Sequence, residues 1–459
     1  MLKSGAFRTE SDSFGPGNVP ADALYGLQTV RACDNLSFSG RPLSRYPLFI
    51  RGLAMVKKAA AMANREAGIL DREIADMIAA SCDLLIEGKH LEHFPVDVYA
   101  GGGGIGINMN VNEVIANLCS IRAGHPAGSG RPVHPIEHVN LSQSTSDVCH
   151  TAVRIAIIDT FEPLKKELDD LHAELGAKAS AFAGVRTIAR TCLQDAMAVS
   201  LGSLFSGYAG LTERRTAALA RSVERLHRIN LGGTVIGSGE GAHEAYRARI
   251  LPKLREVTGR NLTWRENLYD AAQNPDDLAE VSASLAQLAS ALLKIAADLR
   301  LLSSGPEAGF AELKLPAVQA GSSFFPGKVN PVVPETLMHC CFLIFGLHRS
   351  VEAALEHGEL NLNVWETTAG INLLEALAML TGAVRSFTRN CLRGLEANVK
   401  RCEQFAESLV PLVTHLKESY GYSRLAGWIR EAERAGVDFK TWARNNIGTG
   451  VDRNGTGPT

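Results

Sequence analysis

Neither sign of charge dominates this chain of 459 residues, in which 47 Lys and Arg stand against 49 Asp and Glu. So even a balance leaves no basic field for nucleic acid or an anionic bilayer, and any anion recognition must be built locally. The nine cysteines, at positions 33, 82, 119, 149, 192, 340, 341, 391 and 402, include no CxxC pair and no Cys/His ligand spacing. That excludes a disulfide framework and a structural zinc site, and fits a reducing cytoplasm. The opening MLKSGAFRTESDSFGPG lacks an apolar core segment, and charges interrupt each apolar stretch before the roughly twenty residues that span a bilayer. The expectation is a soluble, unexported, cytoplasmic protein. No repeat of 20 to 50 residues is visible.

What the chain has is helix periodicity. Val281, Leu285, Leu288, Leu292, Ile295, Leu299 and Leu302 recur at alternating steps of four and three, with alanines between them, which predicts a long bundle helix. Val153, Ile157, Phe161, Leu164, Leu168, Leu171 and Leu175 make a second such row, with Pro163 expected to bend or break it. Further apolar helices are predicted at about 196–229, 334–356 and 368–395. Apolar faces this wide predict a central bundle, and their surplus predicts that subunits share it. The chain divides into a mostly helical N-terminal region (1–140), a central bundle (141–396) and a small C-terminal region (397–459) whose Gly/Asn/Thr-rich end reads as mobile.

Four polar stretches interrupt the helices. GGGGIGINMN (101–110) contains a literal GxGxxG, but no strand precedes it and no GK[ST] follows, so a nucleotide loop is not expected. It reads instead as a turn that leads backbone amides into a helix starting near Asn110, a cradle suited to a carboxylate. HVNLSQSTSD (138–147) offers Ser144, Thr145 and Ser146 ahead of a long apolar helix, where they are N-caps or an anion site, with Asp147 well placed as the cap. ARTCLQDA (189–196) reads as another polar opening to a helix, with Cys192 a buried structural cysteine rather than a nucleophile. GSSFFPGKVNP (321–331) carries two prolines and two glycines, so it is a loop, and loops are where chemistry is often mounted. Hydroxyls, asparagines, a lysine and open amides at helix ends suit a small dicarboxylate substrate better than a polymer.

HVNLSQSTSD, RTCLQDA, LGGTVIGSG (231–239) and GSSFFPGKVNP occur in the order of the signature segments of the aspartase/fumarase superfamily. VPADALYGLQTVRA, NMNVNEVIAN, LRLLSSGPEAGFAELKLPAVQAGSS and LNLNV extend the resemblance over nearly the whole chain. LPAVQAGSS and VNPVVPE look more like aspartate ammonia-lyases than fumarases. The resemblance implies an all-α homotetramer with a central twenty-helix bundle, each active site being shared by three subunits. It implies that 321–331 is the loop that closes over substrate, with Ser322 the base that takes a proton from the carbon beside one carboxylate. Lys328, Asn330 and Thr191 would hold the carboxylate next to the leaving group, and Ser144, Thr145 and Ser323 the other. Elimination through an aci-carboxylate then gives fumarate without metal or organic cofactor.

The departures from the family pattern cluster on the leaving group. GTSxNMN reads GIGINMN, so Ile105 and Gly106 replace two hydroxyl residues. STND reads STSD, placing Ser146 where an asparagine usually contacts the amino group. RTH or RTQ reads RTC, at Cys192. His150 replaces a proline, and is expected to pack against a neighbouring subunit rather than to contact substrate. Phe324 and Phe325 replace Ile-Met in the loop. Each lost hydrogen bond to a charged group is worth roughly 1.5–3 kcal/mol, so simple ammonia is poorly served. The reading is a carbon-nitrogen lyase acting on aspartate or an aspartate-like succinate, with nitrosuccinate, hydrazinosuccinate or an N-substituted aspartate as alternatives. A fumarate hydratase is disfavoured by the missing RTH histidine, and a catalytically silent scaffold by the intact Ser322, Lys328 and Asn330.

Overall fold

A computed structural model describes residues 5–447. An antiparallel hairpin, β1 (Phe7–Asp12) with β2 (Gly15–Pro20), opens the chain. Helices α1 (Leu27–Leu36), α2 (Pro47–Glu66), α3 (Arg72–Ile86), α4 (Ile105–Arg122) and α5 (Thr145–Ala181) follow. A second hairpin pairs β3 (Arg186–Thr191) with β4 (Gln194–Ser200). Then come α6 (Leu201–Glu224), α7 (Glu244–Thr258), α8 (Leu268–Gln273), α9 (Asp276–Leu302), α10 (Val332–Glu356) and α11 (Glu366–Phe387). Four shorter helices end the described chain: α12 (Val399–Ala406), α13 (Leu409–Tyr420), α14 (Tyr422–Arg434) and α15 (Phe439–Ile447).

The periodic rows bury as their spacing requires. Val281, Leu285, Leu288, Leu292, Ile295 and Leu299 of α9 are all buried and Leu302, at its end, is half-buried; the whole row from Val153 to Leu175 on α5 is buried. Pro163 does not break α5, which continues through it. Helix α11 and the turn after it (Glu366–Leu392) are long and apolar enough to cross a membrane, yet most of the segment is buried in the protein.

Two compact units form. The first gathers the chain up to Leu168, Arg214–Leu292 and His339–Ala383; the second gathers Asp169–Glu213, Leu293–Met338 and the chain from Val384 on. In the first unit α2 packs on α3 and α7. There α2 also approaches α5 so closely that a Cβ on Gly52 would lie 2.6 Å from the Ala152 carbonyl oxygen. In the second unit Leu416, Leu425, Ala432, Phe439 and Ala443 of α13–α15 make a core of their own, flanked by Trp428 and Trp442.

Two local expectations are corrected. The segment 189–196 opens no helix: it is the tip of the β3–β4 hairpin, and α6 begins only at Leu201. The strand pairing that claims Thr191 comes from Gln194 and beyond, which helix periodicity does not register. Helix α4 begins at Ile105 rather than near Asn110, because Gly104, at φ +92°, ends the glycine turn in the left-handed region.

Candidate active site

The predicted residues fall into three groups. Ser144, Thr145 and Ser146, half-buried at the start of α5, belong to the first unit, as does Ile105 at the start of α4. The loop with Ser322, Ser323, Lys328 and Asn330 and the hairpin tip with Thr191 and Cys192 belong to the second.

In the first unit Asp147 organises the helix start. Its Oδ1 accepts the Ser144 N–H at 2.9 Å, so it caps from within the first turn, and its Oδ2 accepts the N–H groups of Gly232 and Thr234 at 3.0 and 3.1 Å. Burial pushes the Asp147 carboxyl up to about 6, and those three donors restrain the rise. Ser146 Oγ lies 2.8 Å from both the Thr234 and the Val235 carbonyl oxygens, either of which can accept its single proton. Together Asp147 and Ser146 fasten the LGGTV segment to α5.

Thr145 is held from below by residues that the sequence reading did not single out. Its Oγ1 accepts from Asn108 Nδ2 at 3.0 Å. Asn108 Nδ2, Asn112 Nδ2 and the ammonium of Lys57 all donate to Asn140 Oδ1, at 3.0, 3.2 and 2.9 Å. Lys57 is fully buried, and desolvation lowers it from the ordinary 10.5 to about 7, against the pull of Asp147. A signal existed for the asparagines: NMNVN puts Asn108, Asn110 and Asn112 in an apolar helix, where buried amides demand partners. None existed for Lys57, which KK at 57–58 does not separate from Lys58.

Lys57 carries a pH prediction. Between about 7 and 10.5 the unfolded chain holds this proton and the folded chain does not, so Lys57 makes stability rise with pH over that window and penalises it most below 7. Lys57→Met is therefore expected to have a higher urea midpoint than the natural protein at pH 6, with the gap closing by pH 9 to 10. A gap that does not change with pH would contradict this.

Behind Ser146, His150 is buried within its own chain, not on a surface open to a neighbouring subunit. Desolvation first, and then Arg154, hold it well below its ordinary value, so it is neutral. Its Nε2 stands 3.8 Å from Glu366 Oε1. Arg154, fully buried, grips Asp277 with two bonds of 2.8 and 2.7 Å and Glu366 with one of 2.5 Å.

In the second unit the loop is closed on itself. Gly321 N donates to Lys328 O at 3.0 Å, and Asn330 Nδ2 donates to Gly321 O at 2.6 Å. A Cβ on Gly321 would stand 2.4 Å from Lys328 O and 2.8 Å from Asn330 N, so this closure requires glycine. Ser322 Oγ accepts two backbone N–H groups, from Phe324 at 3.0 Å and Phe325 at 2.9 Å. Ser323, Phe324 and Phe325 are exposed. Lys328, also exposed, has its ammonium 5.6 Å from the Phe325 ring centre.

Cys192 is exposed, not buried. Cys192 and Leu193 form the two-residue turn of the hairpin with φ of +53° and +61°, as a type I′ turn demands, and this turn projects both side chains outward. Ligand atoms of His90, Glu92 and His93 lie within 4.8 Å of one another. However, His93 Nδ1 accepts the Leu24 N–H, which leaves the ring proton on the Nε2 that faces Glu92. That ring serves as a hydrogen-bond bridge rather than a metal ligand.

A family profile described as Lyase matches residues 15–346. The aspartate ammonia-lyase of Helicobacter pylori (strain J99) is 41% identical over 425 residues, 93% of this chain and 91% of that protein. Among solved structures, the fumarate lyase:delta crystallin of Brucella melitensis bound to cobalt superposes with a TM-score of 0.92 at 41% identity, covering 96% of each chain. The class II fumarase of Schistosoma mansoni superposes with a TM-score of 0.89 at 32% identity, covering 96% of this chain and 95% of that one. The chain belongs to the aspartase/fumarase superfamily of lyases and has its all-α fold. It is an enzyme of the carbon-nitrogen lyase class, similar to the aspartate ammonia-lyases.

Proposed function

We propose that the enzyme eliminates a nitrogen leaving group from a substituted succinate, aspartate or a close analogue, to give fumarate. The observation that carries this reading is the pair of backbone N–H groups, from Phe324 and Phe325, aimed at Ser322 Oγ. A serine hydroxyl is far too weak an acid to lose its proton in water at neutral pH. Two amide donors stabilise its alkoxide, and closure of the loop over substrate removes the competing water and strengthens both.

Ser322 then takes the proton from the carbon beside one carboxylate. Ser144, Thr145 and Ser323 hold that carboxylate as it becomes an aci-dianion, with the positive end of α5 directed at it and the Lys57–Asn140–Asn108 chain beneath Thr145. Lys328, Asn330 and Thr191 hold the other. Ile105, Ser146 and Cys192 surround the leaving group. The scheme calls on no metal or organic cofactor. The working assembly is a cytoplasmic homotetramer in which three subunits furnish each site, built on the division 1–140, 141–396 and 397–459.

The test is release of fumarate, followed by its ultraviolet absorbance, from succinates bearing amino, hydrazino, N-methylamino, nitro and hydroxyl groups. Turnover of at least one nitrogen compound, with malate slower, is the expected result. Turnover of malate alone would replace this reading with a hydratase.

A further inference from the structure

The strongest unassigned feature is a small cavity beside Ser146, lined also by Gly103, Cys149, Asn363, Glu366 and Thr367. Three observations fix what it accepts. The first is access. Serine stands where the family places a longer asparagine, and its one proton is directed to the Thr234 or Val235 carbonyl, away from the cavity's other polar groups. The second is size. About 20 Å³ is open to the centre of a water-sized group, where one water needs roughly 10–15 Å³ on that measure, so the cavity takes about one non-hydrogen atom.

The third is charge. Arg154 is the one guanidinium that bonds both Asp277 and Glu366, and the bidentate grip on Asp277 uses most of it. His150 is neutral, and Arg265 is engaged by Asp270 and Asp276. Arg154 and Arg265 both act on Glu366, but with Asp277, Asp270 and Asp276 they face four carboxylates between them, which leaves the Glu366 side of the cavity electronegative. It therefore welcomes a hydrogen-bond donor or a cation and rejects an anion or a pure acceptor.

Resting on the function proposed above, we infer that the leaving nitrogen carries one further atom that donates hydrogen bonds, the simplest case being a hydrazino group, and that Glu366 and Thr367 select it. A nitro group offers only acceptors to Glu366, a methyl group adds no hydrogen bond to it, and a bulky substituent does not fit. The step balances without an oxidant. Ser322 takes the carbon-bound proton, the C–H electron pair becomes the C=C bond, the C–N bond breaks, and the leaving nitrogen, which enters protonated, takes that bond's electrons and departs as neutral hydrazine.

The experiment compares kcat/KM for hydrazinosuccinate, aspartate, N-methylaspartate and nitrosuccinate. The hydrazino compound is expected to exceed the other three by about tenfold or more, the scale of one hydrogen bond to a charged group. Glu366→Gln is expected to remove most of that margin over aspartate. Thr367→Met fills the cavity while leaving the residues of the Arg154 pairs in place, and is expected to depress hydrazinosuccinate turnover more than aspartate turnover. Should Glu366→Gln fail to fold, Thr367→Met decides alone. Preference for aspartate, N-methylaspartate or nitrosuccinate in the natural enzyme, or an unchanged preference in Thr367→Met, would overturn the inference and leave fumarate formation standing. Absence of turnover with any of the four would overturn both.

Discussion

Ser322→Ala is expected to lower kcat for fumarate release by about a thousandfold or more, the upper range for loss of a positioned base. The two N–H groups that meet Ser322 Oγ would remain but would have no oxygen to polarise. Because Ser322 makes no ion pair and lies in a loop, the fold should persist. The variant is expected to melt where the natural enzyme does, to keep its assembly state, and to bind the unreactive diacid succinate with unchanged affinity. The loss then falls on kcat, marking an interaction used only in the transition state. Fumarate release in Ser322→Ala at a rate near that of the natural enzyme would remove the assigned base, and with it the reason for a closing loop.

The second large effect is on stability. Arg154→Met is expected to cost about 3–5 kcal/mol, the usual penalty for stranding a buried charge, against a total stability of about 5–15 kcal/mol for a typical domain. Asp277 and Glu366 would lose the guanidinium that both of them bond. Burial already raises the Glu366 carboxyl, with Arg154 opposing the rise; without Arg154 it would climb further. A carboxyl raised above its unfolded value contributes stability that disappears as pH climbs, so the variant should regain part of its loss in acid, down to the ordinary carboxylate range. Urea midpoints at pH 5 and pH 8 check both statements. A midpoint equal to the natural protein's at pH 8 would contradict them.

Much of the fold was legible because burial follows helix periodicity. The rows on α5 and α9 name their own buried faces, and Gly and Pro mark the loop at 321–331. Composition could not reveal the β3–β4 hairpin, since its strands are short, carry mixed burial and owe their existence to partners across the turn. Ser322 was legible through the order of the signature segments, but the amides that serve its oxygen were not, because they depend on how the chain bends after it. Ser146 was legible as a substitution and illegible as a partner of Thr234 and Val235, which lie almost ninety positions away. Lys57, Arg154 and Glu366 were invisible for the same reason: sequence gives a charge its identity, and only the packed chain says which charges lose their water.

The convergence of three N–H donors on Asn140 Oδ1 has a mechanical meaning. A carbonyl oxygen has two lone pairs, so the arrangement is oversubscribed and none of the three bonds is held at full strength. On the function proposed above, a diacid that drew Thr145, and with it Asn108, toward itself would leave two donors for the two lone pairs of that oxygen. Asn108 could then follow Thr145 without leaving Asn140 Oδ1 unpartnered.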